Sequence, residues 1–199
     1  MLRQRCPPAL RAALLSLSIG VCSWAEYIAP EQLHSPEYRH WLEIKHDGTV
    51  WSWGRNDFGQ LADTTLQHRA QPMRVWSMCI AVSTGRWHSL FLRWDNTTWV
   101  SGRNDYGQLG DGTYTHRNHP KRTLRDVKAF SAGVYHSVFL LNDGTAWTTG
   151  RNDFGQLGDG TTRQRHTPVQ VMTGVEAVAA GTYHSVFLRN DSTAWTTGR

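Results

Sequence analysis

The sequence predicts an all-β fold, a partial β-propeller of about four 48-residue blades. Three observations carry that expectation. The run Gly150 to Gly160, GRNDFGQLGDG, recurs at Gly102 to Gly112 with Tyr106 in place of Phe154, appears shortened at Gly54 to Leu61, and begins again at Gly198-Arg199. A second run, Gly-x-x-His-Ser-x-Phe-Leu, starts at Gly85, Gly133 and Gly181 and keeps the same 48-residue step. Finally, 18 glycines and 10 tryptophans in 199 residues suit short strands, tight turns and aromatic filling between sheets.

Within one unit the strand signals follow in order. Val175 to Ala180, matched by Val127 to Ala132 and Cys79 to Thr84, predicts a strand before each Gly-x-x-His-Ser. Ser137 to Leu141 and Thr145 to Thr149 flank Asn142-Asp143-Gly144, which predicts a hairpin with a type I′ turn. The corresponding turn residues are Gly48, Asn96, Gly144 and Ser192; serine tolerates positive φ poorly, so the last turn is expected to be strained or of another type. The Gln-Leu-Gly end of the long run is expected to begin a further strand. No helix is expected. A single blade cannot bury both faces of its sheet, so Trp51, Trp99, Trp147 and Trp195, with Phe91, Phe139 and Phe187, are expected to fill the gaps between blades. Each buried aromatic of this kind contributes on the order of 2 kcal/mol.

The repeats occupy residues 37–199, divided as 37–84, 85–132, 133–180 and a partial 181–199. Before them, residues 26–36 read as a linker with Pro30 and Pro36. Residues 1–25 differ from everything else: Arg3, Arg5 and Arg11 precede the apolar run Ala12 to Val21, and Ser23-Trp24-Ala25 offers small residues for cleavage. A secretory leader is therefore expected, giving a secreted or periplasmic product, with an organelle transit peptide, a misassigned start, and a cytoplasmic or nuclear protein as alternatives. The apolar run is too short to span a bilayer. Cys6 and Cys22 lie in this leader, so a cleaved product would hold Cys79 alone and could form no internal disulfide.

The formal charge of +5 falls to +2 once the three leader arginines, which have no acidic neighbours, are set aside. That near-neutral balance gives no strong nucleic-acid signal, and the basic run His116 to Lys128 reads as a solvated loop, with contact to an acidic partner as the alternative. The glycine-rich runs lack Gly-Lys-Ser/Thr and precede no helix, so they are not phosphate loops and no cofactor is expected. Repetition also argues against a catalytic or metal centre. His40, His88, His136 and His184 recur once per blade, radiating around an axis, and are expected to tie each blade together through a ring nitrogen. Arg55 and Asp57, Arg103 and Asp105, and Arg151 and Asp153 likewise recur once per blade, as structural pairs or as a row of alternating charges on one face that meets a protein partner. Gly54, Gly102, Gly150 and Gly198 mark fixed structural positions of the repeat. Two glycosylation sequons, Asn96-Thr97-Thr98 and Asn190-Asp191-Ser192, fall in expected hairpin turns and count only in a eukaryotic secretory route.

Gly-x-x-His-Ser followed by Asp-Gly-Thr-x-Trp-x-x-Gly-Arg-Asn-Asp-Phe-Gly-Gln-Leu-Gly-Asp-Gly resembles the regulator of chromosome condensation repeat, and it recurs over residues 37–199. The resemblance implies a β-propeller, commonly seven-bladed, that serves as a binding platform. The founding member is a chromatin-bound guanine nucleotide exchange factor for a small GTPase; others are plant ultraviolet photoreceptors, ligase-associated modules and secreted bacterial proteins. Only about three and a half repeats fit, the last stops in mid-motif, and Leu61-Ala62-Asp63 replaces Leu-Gly-Asp-Gly. A fragment or incomplete ring is therefore expected, with open blade edges available for self-association. The exchange-factor reading needs a wedge inserted between blades, for which the 48-residue spacing leaves no room. The photoreceptor reading needs successive Gly-Trp-Arg-His motifs, whereas Tyr135 and Tyr183 stand in the corresponding slots. The reading that results is a non-enzymatic protein-binding platform, exported if residues 1–25 act as a leader; a small-GTPase regulator and an extracellular glycan-recognition propeller are the alternatives.

Overall fold

The computed structural model describes residues 40–199 and, ahead of them, the backbone of residues 2–5. The expected linker at 26–36, the repeat start at 37–39 and the remainder of the expected leader lie outside the described residues. The strands are β1 (Leu2–Arg5), then β2 (His40–Ile44), β3 (Val50–Gly54) and β4 (Arg69–Trp76) in the first blade. The second blade holds β5 (Cys79–Thr84), β6 (His88–Arg93), β7 (Thr98–Gly102) and β8 (Arg117–Arg122). The third holds β9 (Val127–Ala132), β10 (His136–Leu141), β11 (Ala146–Gly150) and β12 (Arg165–Met172). The fourth is β13 (Val175–Ala180), β14 (His184–Arg189) and β15 (Thr193–Gly198). No helix of the described residues is long and apolar enough to cross a membrane.

Each sheet is an antiparallel meander. Strand order β5-β6-β7-β8 and β9-β10-β11-β12 runs from the inner edge, where neighbouring blades touch, outward. The sheets are thus phased one strand ahead of units cut at Gly85, Gly133 and Gly181. On the fourth sheet β1 takes the outer place beside β15, with Leu2 opposite Thr196 and Arg5 opposite Thr193. Four residues of the segment expected to be a leader are thereby paired with the last strand.

The core sits between blades rather than within them. Leu90, Leu92 and Val100 of the second blade pack with Val127, Phe130 and Phe139 of the third, and Val138 and Leu140 of the third with Val178 and Phe187 of the fourth. Phe91, Phe139 and Phe187 are completely buried. Trp99, Trp147 and Trp195 are half-buried against the same seams, and Trp51 is half-buried with its Nε1 donating to Thr49. Alternation along each middle strand explains the pattern, because successive residues face the blade before and the blade after.

Two local expectations are corrected. The Gln-Leu-Gly end of the long run begins no strand; Gly155 N donates to Asn152 O and Gly158 N to Gly155 O, so it folds as consecutive turns, and the outer strand starts only at Arg165. The hairpins are not type I′. Gly144 N donates to Leu141 O and Leu141 N to Thr145 O, while Gly144 alone of the turn residues has positive φ, at 78°. That is a type I turn closed by one left-handed residue, which needs a single permissive position rather than two. The last turn is not of another type: Ser192 adopts φ 64° in the place of Gly48, Asn96 and Gly144.

A serine held there carries the left-handed strain that glycine avoids. Ser192→Gly is expected to raise the melting temperature by about 2 to 4 °C, read by calorimetry; an unchanged or lower value would show that the turn is relaxed.

Candidate functional site

One end of the blades carries the long connections β3–β4, β7–β8 and β11–β12 of the first three, together with the short turns from Gly85, Gly133 and Gly181, and forms a loop face. The other end carries the hairpins. The sequence dictates the loop-face geometry through one asparagine per blade. Asn104 is fully buried; its Nδ2 donates to Asp111 Oδ1, Thr113 O and Thr115 O, and its Oδ1 accepts from Leu109 N. Asn56 and Asn152 repeat the arrangement. Asp111, whose side chain has no exposure, is then clamped by Arg117 and capped by Thr113. Burial pushes its carboxyl pKa up, and the bonds from Thr113 and Arg117 more than reverse that, leaving it below the ordinary value. Asp63 with Arg69 and Asp159 with Arg165 are equivalent clamps. These asparagines, aspartates and arginines lie in or beside the recurring run and share its 48-residue step; that recurrence was the available signal, although no candidate role was drawn from it.

Loops close onto the following blade. A Cβ on Gly107 would lie 2.4 Å from His166 Cα, so only glycine lets the backbones meet there. Gly112 N donates to His166 O, and Thr64 N to Asn118 O. At Gly150, φ is 113° and a Cβ would lie 2.5 Å from Tyr135 O; Gly54, Gly102 and Gly198 share the conformation.

The recurring histidines do not tie their own blades together, as expected, but each blade to the next. His40 Nε2 lies 2.8 Å from Ser89 Oγ, His88 Nε2 3.0 Å from Ser137 Oγ, and His136 Nε2 3.0 Å from Ser185 Oγ. Each serine hydroxyl donates its own proton to a backbone oxygen, Gln60 O, Gln108 O or Gln156 O, so the imidazole must be the donor and carries its proton on Nε2. Burial, the largest influence, lowers the pKa of His40 and His136 to about 4 and that of His88 to about 3. His184, at the end of the arc, is exposed. At the opposite end the register reads differently. Trp41 stands where the other blades have Ser89, Ser137 and Ser185, and Trp53 where they have Ser101, Thr149 and Thr197; the two indoles stack with centroids 6.5 Å apart.

The candidate partner residues lie on the loop face as three pairs. Arg55 bonds Asp57 and Arg103 bonds Asp105 through Nε, and Arg151 Nε lies 2.6 Å from Asp153 Oδ2. Bonding to Asp153 raises the Arg151 pKa. Aromatic pairs bridge successive blades between these arginines: Phe58 with Trp87, Tyr106 with Tyr135, Phe154 with Tyr183. The Arg55 guanidinium lies 4.6 Å from the Trp87 ring, Arg103 lies 5.0 Å from Phe58, Arg151 lies 5.1 Å from Tyr106, and Arg199 lies 5.7 Å from Phe154. The outcome is a ladder of guanidinium groups and rings along the arc, whose aromatic half the sequence reading did not single out. Among the described residues, no cluster of three His, Cys, Asp or Glu side chains could hold a metal ion. A shallow hollow of about 500 Å3 lies on the hairpin face, away from the ladder, between Asp47, Met78 and Trp94.

Blades of antiparallel strands, seamed edge-on by one polar lock per repeat, define a β-propeller repeat protein. The chain belongs to the Regulator of chromosome condensation (RCC1) repeat family, whose repeat matches residues 47–92, 95–140 and 143–188, with a second form of it at 127–156. Comparison with curated proteins returns no match. Among solved structures the chain is similar to Prp20p of Saccharomyces cerevisiae, studied with its binding properties to Gsp1p and histones, at 26% identity and a TM-score of 0.70 over 80% of this chain and 43% of that one. The same fold appears in yeast RCC1 (Prp20) bound to Kap60, at 25% identity, TM-score 0.70, over 80% of this chain and 41% of that one. Human WBSCR16 shares it too, at 21% identity and TM-score 0.71, with 80% and 44% covered. The chain spans about two fifths of the length of each.

Because the buried histidines stay neutral when the unfolded chain would protonate, stability is full above pH 6.5 and falls as pH drops toward 4. The slope is about 1.4 kcal/mol per pH unit for each of the three. Thermal melts from pH 7 to 4 are expected to show that fall, and His88→Gln to flatten it by about a third. A melting temperature constant down to pH 4.5 would contradict the buried, neutral assignment.

Proposed function

We propose that the chain is a protein-binding platform with no catalytic centre of its own, presenting the loop face to its partner. The observation that carries this reading is the guanidinium and aromatic ladder: the buried asparagines, their aspartates and the serines that receive the histidines are spent on clamps and seams, whereas the ladder repeats along one face at the surface. An array of equivalent groups suits contact over an area, and a reaction centre needs one asymmetric pocket. A photo-crosslinking residue in place of exposed Tyr114 on the loop face is expected to capture a protein in the native cell, whereas one in place of exposed Trp94 on the hairpin face is not. Capture from Trp94 alone would overturn the choice of face.

A second reading, regulation of a small GTPase, is favoured by the likeness to Prp20p, a protein studied for its binding to Gsp1p. Fluorescent-nucleotide release from small GTPases is expected to be unchanged by this chain; acceleration would transfer the reading to that class. We further propose export, on the basic and apolar character of residues 1–25. Strand β1 uses Leu2–Arg5 and competes with that proposal, since a cleaved leader cannot pair with β15. Amino-terminal sequencing of the native protein decides: a start beyond residue 25 supports export, and a start at Met1 or Leu2 supports the strand.

A further inference from the structure

Two kinds of arginine stand on the loop face. Arg117 and Arg165 spend both Nε and a terminal nitrogen on a buried aspartate. Arg103 and Arg151 spend Nε alone, on Asp105 and Asp153, and their terminal nitrogens have no hydrogen-bond partner among the described residues. Both guanidinium carbons lie over the Tyr135 ring, 5.8 and 5.5 Å from its centre, and so within about 11 Å of each other. A rigid guanidinium with two unspent donors is the geometry that receives a carboxylate in a bidentate pair.

The distribution of charge supplies the second half of the argument. The loop-face connections together with the three clamp arginines carry eight arginines against six aspartates, a surplus of two positive charges. The hairpin connections carry Lys45 and Arg125 against five aspartates, a surplus of three negative charges. A near-neutral molecule is therefore polarised from face to face, and the ladder lies on its positive side. A nucleic-acid strand fits less well. Tyr106 meets Tyr135 edge-on at 5.3 Å and Phe154 meets Tyr183 edge-on at 5.2 Å, so the rings pack on one another and under guanidinium groups, and of these four only Phe154 is exposed, which leaves no row of open faces for successive bases. A continuous phosphate backbone would also pass Asp105 and Asp153, half-exposed beside their arginines.

We propose that Arg103 and Arg151 grip carboxylates of an acidic, extended protein segment laid along the loop face from blade to blade. In an extended chain, side chains on one side recur every ~7 Å, so acidic residues two or four positions apart can reach both guanidinium groups. The inference rests on the platform reading and names the chemistry of its partner.

The test is fluorescence anisotropy of a labelled peptide of alternating Glu and Ser, beside its Gln/Ser counterpart and a single-stranded oligonucleotide of equal charge. The Glu/Ser peptide is expected to bind, to weaken with added salt, and to lose about tenfold or more in affinity to Arg103→Gln with Arg151→Gln. Lys121→Gln with Arg122→Gln, an equal charge change on an outer strand, is expected to leave binding within about twofold. Asp105→Asn with Asp153→Asn removes the competing carboxylates and is expected to tighten binding, an effect that loss of folding cannot mimic. Absence of binding, equal loss in both glutamine pairs, tighter binding of the oligonucleotide, or a titration that reports only self-association of the chain would each overturn the inference. If crosslinked partner capture still depends on Arg103 and Arg151 while the peptide fails, the platform stands and the acidic segment falls; if capture ignores both arginines, the two readings fall together.

Discussion

The hydrogen bond from a buried imidazole to the serine of the following blade is the constraint on which the rest depends. His88 donates to Ser137, and Ser137 in turn donates to Gln108 O, the carbonyl of a loop belonging to the same blade as His88. Two groups of one blade, an imidazole and a backbone carbonyl, are satisfied by one hydroxyl of the next in a dry seam, where an unpaired polar atom is costly. The geometry requires glycine at position 85 or 133, because a Cβ there would lie 2.4 Å from the imidazole ring. It also requires the loop carbonyl to arrive in register, which the buried asparagine and its aspartate clamp secure.

From that constraint the surface follows. Each loop must cross to the next blade to deliver its carbonyl, and in crossing it lays Phe58, Tyr106 or Phe154 against Trp87, Tyr135 or Tyr183. The arginine opening each loop lies over those rings. A row of oriented guanidinium groups on the loop face is thus a by-product of how the blades are seamed, available to be used as a binding surface. Evenly repeated chemistry in this family of folds begins as architecture.

Much of the fold was legible because the repeat supplies its own comparison: the strands before and after Gly-x-x-His-Ser, the hairpin and the buried phenylalanines could be placed by register alone. What escaped has physical reasons. β8 reads Arg-Asn-His-Pro-Lys-Arg, without alternation and with a proline, because an outer strand is paired on one side only and shows water most of its side chains. The partner of each histidine lies 49 residues away in the next blade, and register within one repeat cannot say which neighbour a side chain faces. The turn type failed because Asp-Gly fits two hairpin geometries, and the sequence of a turn does not count its left-handed residues. On the loop face the arginine and aspartate pairs stand out by their recurrence, while the sequence assigns the rings beneath them no role.

Trp41 and Trp53 give the arc a direction. Wherever one blade meets the next, a hydroxyl receives the histidine, and at the last two seams a second hydroxyl, Thr149 or Thr197, reaches back to the preceding loop. The leading face of the first blade offers two stacked indoles instead. A tandem concatemer of this chain would therefore carry one mismatched seam per copy, with His184 brought against an indole. Blades of the present pattern can extend the trailing end without limit of chemistry, whereas whatever abuts the leading end must be built differently.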